Sequence, residues 1–258
     1  MQSNASTNST APALGRAARI EERLRSCVPA SVQPFVPPAV AIASRTAQSV
    51  LGTVQRYTRT PLTLWQRRSW RDRKLEIGPG RTRIPGFETL NIVGGANVDF
   101  VCNAQKRLPF RTGTFQVVYA SHILEHIPWY HTDKVLSEWV RILAPGGRLE
   151  IWVPNGLAIA EAFVAAEQRG SPDFHQDGWY HLNPQQDPCM WAAGRMFSYG
   201  DGSGRTGHPN WHVALFSPRH LEQALLKAGC SRVQPLQRSQ VRGHDHGWIN
   251  LGMAGIKA

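Results

Sequence analysis

From Lys74 onward the apolar residues come in short runs bounded by glycine, proline and polar residues, the pattern of buried strands. Leu75-Glu76-Ile77 runs into Gly78-Pro79-Gly80. Thr89–Ile92, Val98–Cys102 and Phe115–Ala120 follow as predicted strands. The period then changes. Val135, Leu136, Trp139, Val140 and Leu143 fall on one helical face, with Thr132 as its predicted N-cap. Pro145-Gly146-Gly147 is predicted to stop that helix, and Arg148–Val153 reads as a fifth strand. A helix is predicted over 156–169. Another starts at Ser217-Pro218, with Ser as cap, Pro at the first helical position and Gly229 as the stop. Arg232–Arg238 and Trp248–Ile256 close the pattern as strands. Strands alternating with helices and ending in glycine-bearing turns predict an α/β fold with a doubly wound, mostly parallel sheet.

Before Lys74 the pattern differs. Residues 1–15 are rich in Ser, Thr, Asn and Ala and predicted to be disordered. A short charged helix is predicted at 16–26 and a proline-rich linker at 28–38. Helical spacing returns over 39–60, where Val50, Leu51, Val54 and Tyr57 are expected to pack on the domain. Trp65 and Trp70, set among Arg67, Arg68, Arg71 and Arg73, offer peripheral contact with a membrane surface as the alternative. The expected division is an arm at 1–73 and a domain at 74–258. Within the domain, 171–212 reads as a long insert rich in Gly, Pro, His and aromatics, suited to a lid over a substrate.

Charge sharpens this division. The 258-residue chain carries a formal net charge of +11. Residues 1–74 hold twelve Lys/Arg against three acids, and the remainder seventeen against fifteen. The basicity therefore belongs to the arm, which suits nucleic acid, an anionic membrane or an acidic partner. A hydrophobic content of 41% excludes wholesale disorder. Cys27, Cys102, Cys189 and Cys230 form no C-x-x-C pair or disulfide framework. With no signal-peptide pattern and no long apolar run, the expected location is the cytoplasm.

Glycines after a first strand allow backbone to approach a nucleotide-like ligand closely. The stretch after Gly80 leaves little room for a helix, which disfavours a standard dinucleotide fingerprint. Four segments in order are more specific: Leu-Glu-Ile-Gly-Pro-Gly (75–80), Arg-Leu-Pro-Phe (107–110), Tyr-Ala-Ser-His-Ile-Leu-Glu-His (119–126) and Leu-Ala-Pro-Gly-Gly-Arg-Leu (143–149). Together they resemble the class I S-adenosylmethionine-dependent methyltransferases, type 11 group. The resemblance implies a seven-stranded, mostly parallel sheet with an antiparallel last strand. It implies S-adenosylmethionine as cofactor, with Gly78 and Gly80 beside its methionine part and Glu76 at its amino group. By the same resemblance Asn91 would hold the ribose, Asn103 and Ala104 would lie by the adenine, and Ala120, Ser121 and His122 would line the methyl-donor pocket.

This chain departs from the group at Asn91, where relatives carry a carboxylate. An amide offers one acceptor and one donor in place of a bidentate anion. The expected loss is about 1–2 kcal/mol of cofactor affinity. For proton removal, histidine suits neutral pH. His212, before Phe216-Ser217-Pro218, is the first candidate base and His122 the second, with His175, His181 and His208 also in the region. His122, Glu125 and His126 form H-x-x-E-H, similar to a metal-binding E-x-x-E-H that some methyltransferases carry there; the expectation is nevertheless a site without metal. The implied reaction is methyl transfer to an oxygen or nitrogen of a small molecule or saccharide, since the aromatics of the insert could stack on a sugar. A nucleic-acid methyltransferase steered by the arm, and a binding module that has lost activity, are the alternatives.

Overall fold

The computed structural model describes residues 49–80, 82–169, 183, 185–198 and 207–258. The predicted disorder at 1–15, helix at 16–26 and linker at 28–38 lie outside these residues, as do all of 170–182, His175 and His181 among them. A seven-stranded sheet runs in the order β3-β2-β1-β4-β5-β7-β6. Its strands are β1 (Lys74–Ile77), β2 (Glu88–Asn91), β3 (Phe100–Val101), β4 (Phe115–Ser121), β5 (Leu143–Pro154), β6 (Cys230–Leu236) and β7 (Asn250–Lys257). The pairs β1–β2, β2–β3, β1–β4 and β4–β5 are parallel, while β7 is antiparallel to both neighbours. This is the expected α/β architecture.

The helices are α1 (Arg59–Gln66), α2 (Thr132–Ile142), α3 (Gly156–Arg169), α4 (Pro188–Phe197) and α5 (Pro218–Lys227). Leu136 and Trp139 of α2 and Leu221 and Leu225 of α5 join Leu75, Val118, Leu149 and Ile151 of the sheet in the main core. Each fully buried side chain of this size contributes roughly 1.5–3 kcal/mol of apolar transfer. A smaller cluster of Ile159, Trp191, Ala192 and Ile249 joins α3 to α4.

Several local expectations change. Thr132 is the first residue of α2, not a side-chain cap, and its hydroxyl is buried without a partner. Pro145-Gly146-Gly147 does not separate helix from strand, because β5 starts at Leu143 and runs through it. The extra residues are absorbed by a register shift opposite Phe115–Val117. The insert is not all loop: Pro188–Phe197 is helical, with the Asp187 side chain accepting from Met190 N–H and Pro188 at the start.

The expected boundary at Lys74 also moves. The compact unit that contains the sheet begins at Gln48. Thr60 Oγ1 accepts from Val101 N–H at 3.0 Å, and Arg67 donates to Glu88 at 3.0 Å. Arg73 forms a two-pronged pair with Glu88 at 2.6 and 2.9 Å, both side chains buried. Arg67 and Arg83 converge on buried Asp99. Part of the positive charge is thus neutralised internally by acids of β2 and the approach to β3.

The helical stretch 49–57 is turned the opposite way from expectation. Val50, Leu51, Val54 and Tyr57 are exposed, as are Leu62, Trp65 and Trp70. The inward contacts are polar or small. Gln55 exchanges hydrogen bonds with Gly95, and Gly52 approaches Gly94 so closely that a Cβ at Gly94 would meet the Gly52 backbone. No helix among the described residues is long and apolar enough to cross a membrane.

Candidate active site

A cleft of about 380 Å³ opens at the carboxyl ends of β1 and β2 and beside the turns after β3 and β4. Crevices at these strand ends, where the order reverses about β1, are the usual ligand sites of such sheets. Its walls include Gly78, Asn91, Asn103, Ala104, His122 and His126. The motif β1–Gly78 is built for this position. Gly78 has φ +73° and donates to Leu90 O at 2.8 Å, and a Cβ there would overlap the Ile123 side chain. Gly80 has no such constraint, since an added Cβ would meet nothing within 4 Å.

The polar groups follow from short turns. Asn91 Oδ1 accepts from Val93 N–H at 3.4 Å, and Asn103 Oδ1 accepts from Gln105 N–H at 2.9 Å. The Ala104 carbonyl accepts from the Trp139 indole at 3.1 Å. Glu76 is buried on β1, and its Oε2 has no hydrogen-bond partner. Burial pushes its carboxyl above the usual range, partly offset by the Ile84 N–H and Arg83. Ala120 pairs with Ile77 inside the sheet, and the cleft wall includes neither Ala120 nor Ser121. Glu76 and Gly80 are also off that wall.

His122 is held in a left-handed conformation, φ +53°, rare outside glycine. Its Nε2 lies 2.8 Å from Asn250 Oδ1 and its Nδ1 3.1 Å from Glu125 Oε1. The ring also packs on His246, centroids 3.7 Å apart. Burial opposes charging of His122, but Glu125 and Asn250 together raise its pKa. With both nitrogens engaged, His122 is poorly placed to accept a substrate proton. His212 does not reach the cleft wall; its ring meets His126 edge to face, centroids 4.9 Å apart. Burial lowers its pKa, against the pull of Glu125.

Sequence reasoning placed Glu125 and His126 in H-x-x-E-H, with His212 apart from them, and overlooked that Glu125 is the buried centre of one cluster. Glu125 is 1% exposed, and burial would raise its pKa, but His122, His126 and His212 together hold it low. His246 and Asn250 were also missed. The short run Gly243-His244-Asp245-His246-Gly247 before the last strand was the available signal.

Residues 85–151 match the family model described as a methyltransferase domain, Methyltransf_11. The chain carries a methyltransferase domain. The sterol 4-C-methyltransferase strm-1 of Caenorhabditis elegans is 32% identical over 76 residues, 30% of this chain and 22% of that protein. The chain thus matches about a fifth of that relative's length. A Thermotoga maritima SAM-dependent methyltransferase structure is 16% identical, covering 84% of this chain and 96% of its own, with TM-score 0.43. Human N-acetylserotonin methyltransferase in complex with SAM is 13% identical, covering 72% of this chain and 48% of its own, with TM-score 0.39.

The cofactor of such a domain is S-adenosylmethionine, and the residues present fit it. Asn91 and Asn103 present amides to the cleft, and behind its wall Glu76, one residue before the end of β1, keeps a buried oxygen without a partner that would suit an ammonium group. The left-handed turn at Gly78 keeps side-chain bulk away from the strand end.

Proposed function

We propose that this methyltransferase domain transfers a methyl group to an oxygen or nitrogen of a small molecule or saccharide. The observation that carries the reading is the cleft at the strand ends, flanked by Gly78, Asn91 and Asn103 in the order the resemblance requires. When bound, S-adenosylmethionine supplies a methyl group activated by its sulfonium. Glu76 and the Gly78 turn would hold the methionine portion, Asn91 the ribose, and Asn103 and Ala104 the adenine. Orientation is the main contribution of such a site, since alignment of donor and acceptor removes most of the entropic barrier.

His126 is the cleft-lining imidazole best placed to face an acceptor. Its Nδ1 donates to the Trp211 carbonyl at 3.3 Å, which orients the ring. The test is calorimetric titration with S-adenosylmethionine, followed by an acceptor screen with hydroxyl, amine and saccharide compounds. Binding with methylated product supports the reading; no heat at millimolar cofactor removes it.

A further inference from the structure

Glu125 presents a problem that the cofactor cleft does not solve. It is 1% exposed, yet neither carboxylate oxygen receives an aligned hydrogen bond. His122 Nδ1 is near enough for an ion pair, at 3.1 Å from Oε1, but does not satisfy either oxygen directionally. Buried carboxylates are ordinarily paired, hydrogen-bonded or bound to metal.

Two imidazoles converge on this acid. Ligand atoms from Glu125, His126 and His212 all lie within 4.8 Å of one another. The backbone sets the arrangement: Val213 and Ala214 N–H donate to the Glu125 carbonyl at 2.8 and 3.1 Å, which pins His212 alongside the acid. Each imidazole is also oriented from outside. His126 Nδ1 donates to Trp211 O, and the His212 ring hydrogen-bonds the Arg195 carbonyl. Each ring therefore has one nitrogen engaged by a carbonyl and one lone pair left. That outer support is the usual arrangement of metal-binding histidines.

We propose that Glu125, His126 and His212 bind a divalent first-row transition ion, of the Zn²⁺ or Mn²⁺ class. Two imidazoles and one carboxylate suit these ions better than Mg²⁺ or Ca²⁺, which prefer oxygen donors. Metal–ligand bonds of about 2.0–2.2 Å require the donors to close slightly from their present spacing. The only partly buried His212 can make that adjustment. Three protein ligands leave a coordination position open. His126, Pro209 and Asn210 all line the cleft, so that position faces the acceptor side. An ion there would polarise an acceptor oxygen; this role, but not ion binding itself, rests on the methyl-transfer reading.

The test uses the full chain stripped with chelator and dialysed, then titrated separately with Zn²⁺ and Mn²⁺ by calorimetry in the absence of cofactor. One ion per chain is expected. His126→Ala and His212→Ala should each weaken binding at least about a hundredfold, while the exposed controls His131→Ala and His220→Ala bind as the parent does. Circular dichroism confirms folding of each variant. Removing the buried Glu125 charge risks the fold, so the histidine variants carry the test. No stoichiometric binding of either ion, or equal binding by folded His126→Ala and His212→Ala, overturns the proposal. Ion binding without cofactor binding would leave this site standing and remove the methyl-transfer reading; cofactor binding without ion binding would do the reverse.

Discussion

Gly78→Ala tests the turn on which the cleft is built. Two costs should add. The residue sits at φ +73°, where a Cβ is disfavoured by about 1–2 kcal/mol. The new methyl also overlaps the Ile123 side chain, and inserting a methyl into such contact costs about 1–3 kcal/mol. The sum is roughly 2–5 kcal/mol, or several degrees to about 20 °C in Tm for a domain of this size. Gly80→Ala is the internal control, because its Cβ meets nothing within 4 Å. Urea unfolding of both variants gives the comparison. A double-mutant cycle with Ile123→Ala separates the two costs: relief of overlap should return about 1–3 kcal/mol as coupling, leaving the backbone cost. Equal stabilities of Gly78→Ala and Gly80→Ala, or zero coupling to Ile123, would refute the reasoning.

Other consequences can be measured alongside. Asn91→Asp should tighten S-adenosylmethionine binding by about tenfold, because a carboxylate can take both ribose hydroxyls; an unchanged Kd would detach Asn91 from the ribose. Arg73→Met should cost about 3 kcal/mol, the low end for breaking a buried pair, since Arg67 still reaches Glu88 at 3.0 Å. Arg73→Met with Glu88→Leu should recover much of that loss in urea unfolding, and no recovery would contradict the charge argument. Burial pushes the Cys230 thiol up to about 11, whereas Cys189 is exposed. Alkylation at pH 8 should therefore label Cys189 first and reach Cys230 only on unfolding or at much higher pH, as read by peptide mass spectrometry.

The sheet was legible because its signals are local. Leu75-Glu76-Ile77 before Gly78, and Phe115–Ala120, need only their own burial pattern to be recognised. Ser217-Pro218 likewise marks a helix start, and the Ser217 side chain accepts from His220 N–H as expected. The same logic was available at Asp187-Pro188 but was obscured by the polar and aromatic text around it. What could not be read locally was contact between distant segments. His212 meets Glu125 because backbone hydrogen bonds dock 213–214 against the turn after β4. His246 reaches His122 through the segment before β7. The outward turn of Val50 and Val54 failed differently: helical spacing identifies an apolar face but not which way it points. Here Gln55, Gly52 and Thr60 claimed the inner side.

The position of β7 also bears on how the chain is made. Arg148 of β5 pairs with Ile256 of β7, and among the described residues β6 pairs only with β7. β5 and the later-synthesised β6 therefore cannot join one sheet until residues 250–257 leave the ribosome. Synthesis at about 5–20 residues per second leaves the β5 edge unpaired for many seconds. Closing so distant a pairing is slow. The exposed edge is then a template for strands of other nascent chains, so the interval before β7 arrives is when this protein has most need of a chaperone.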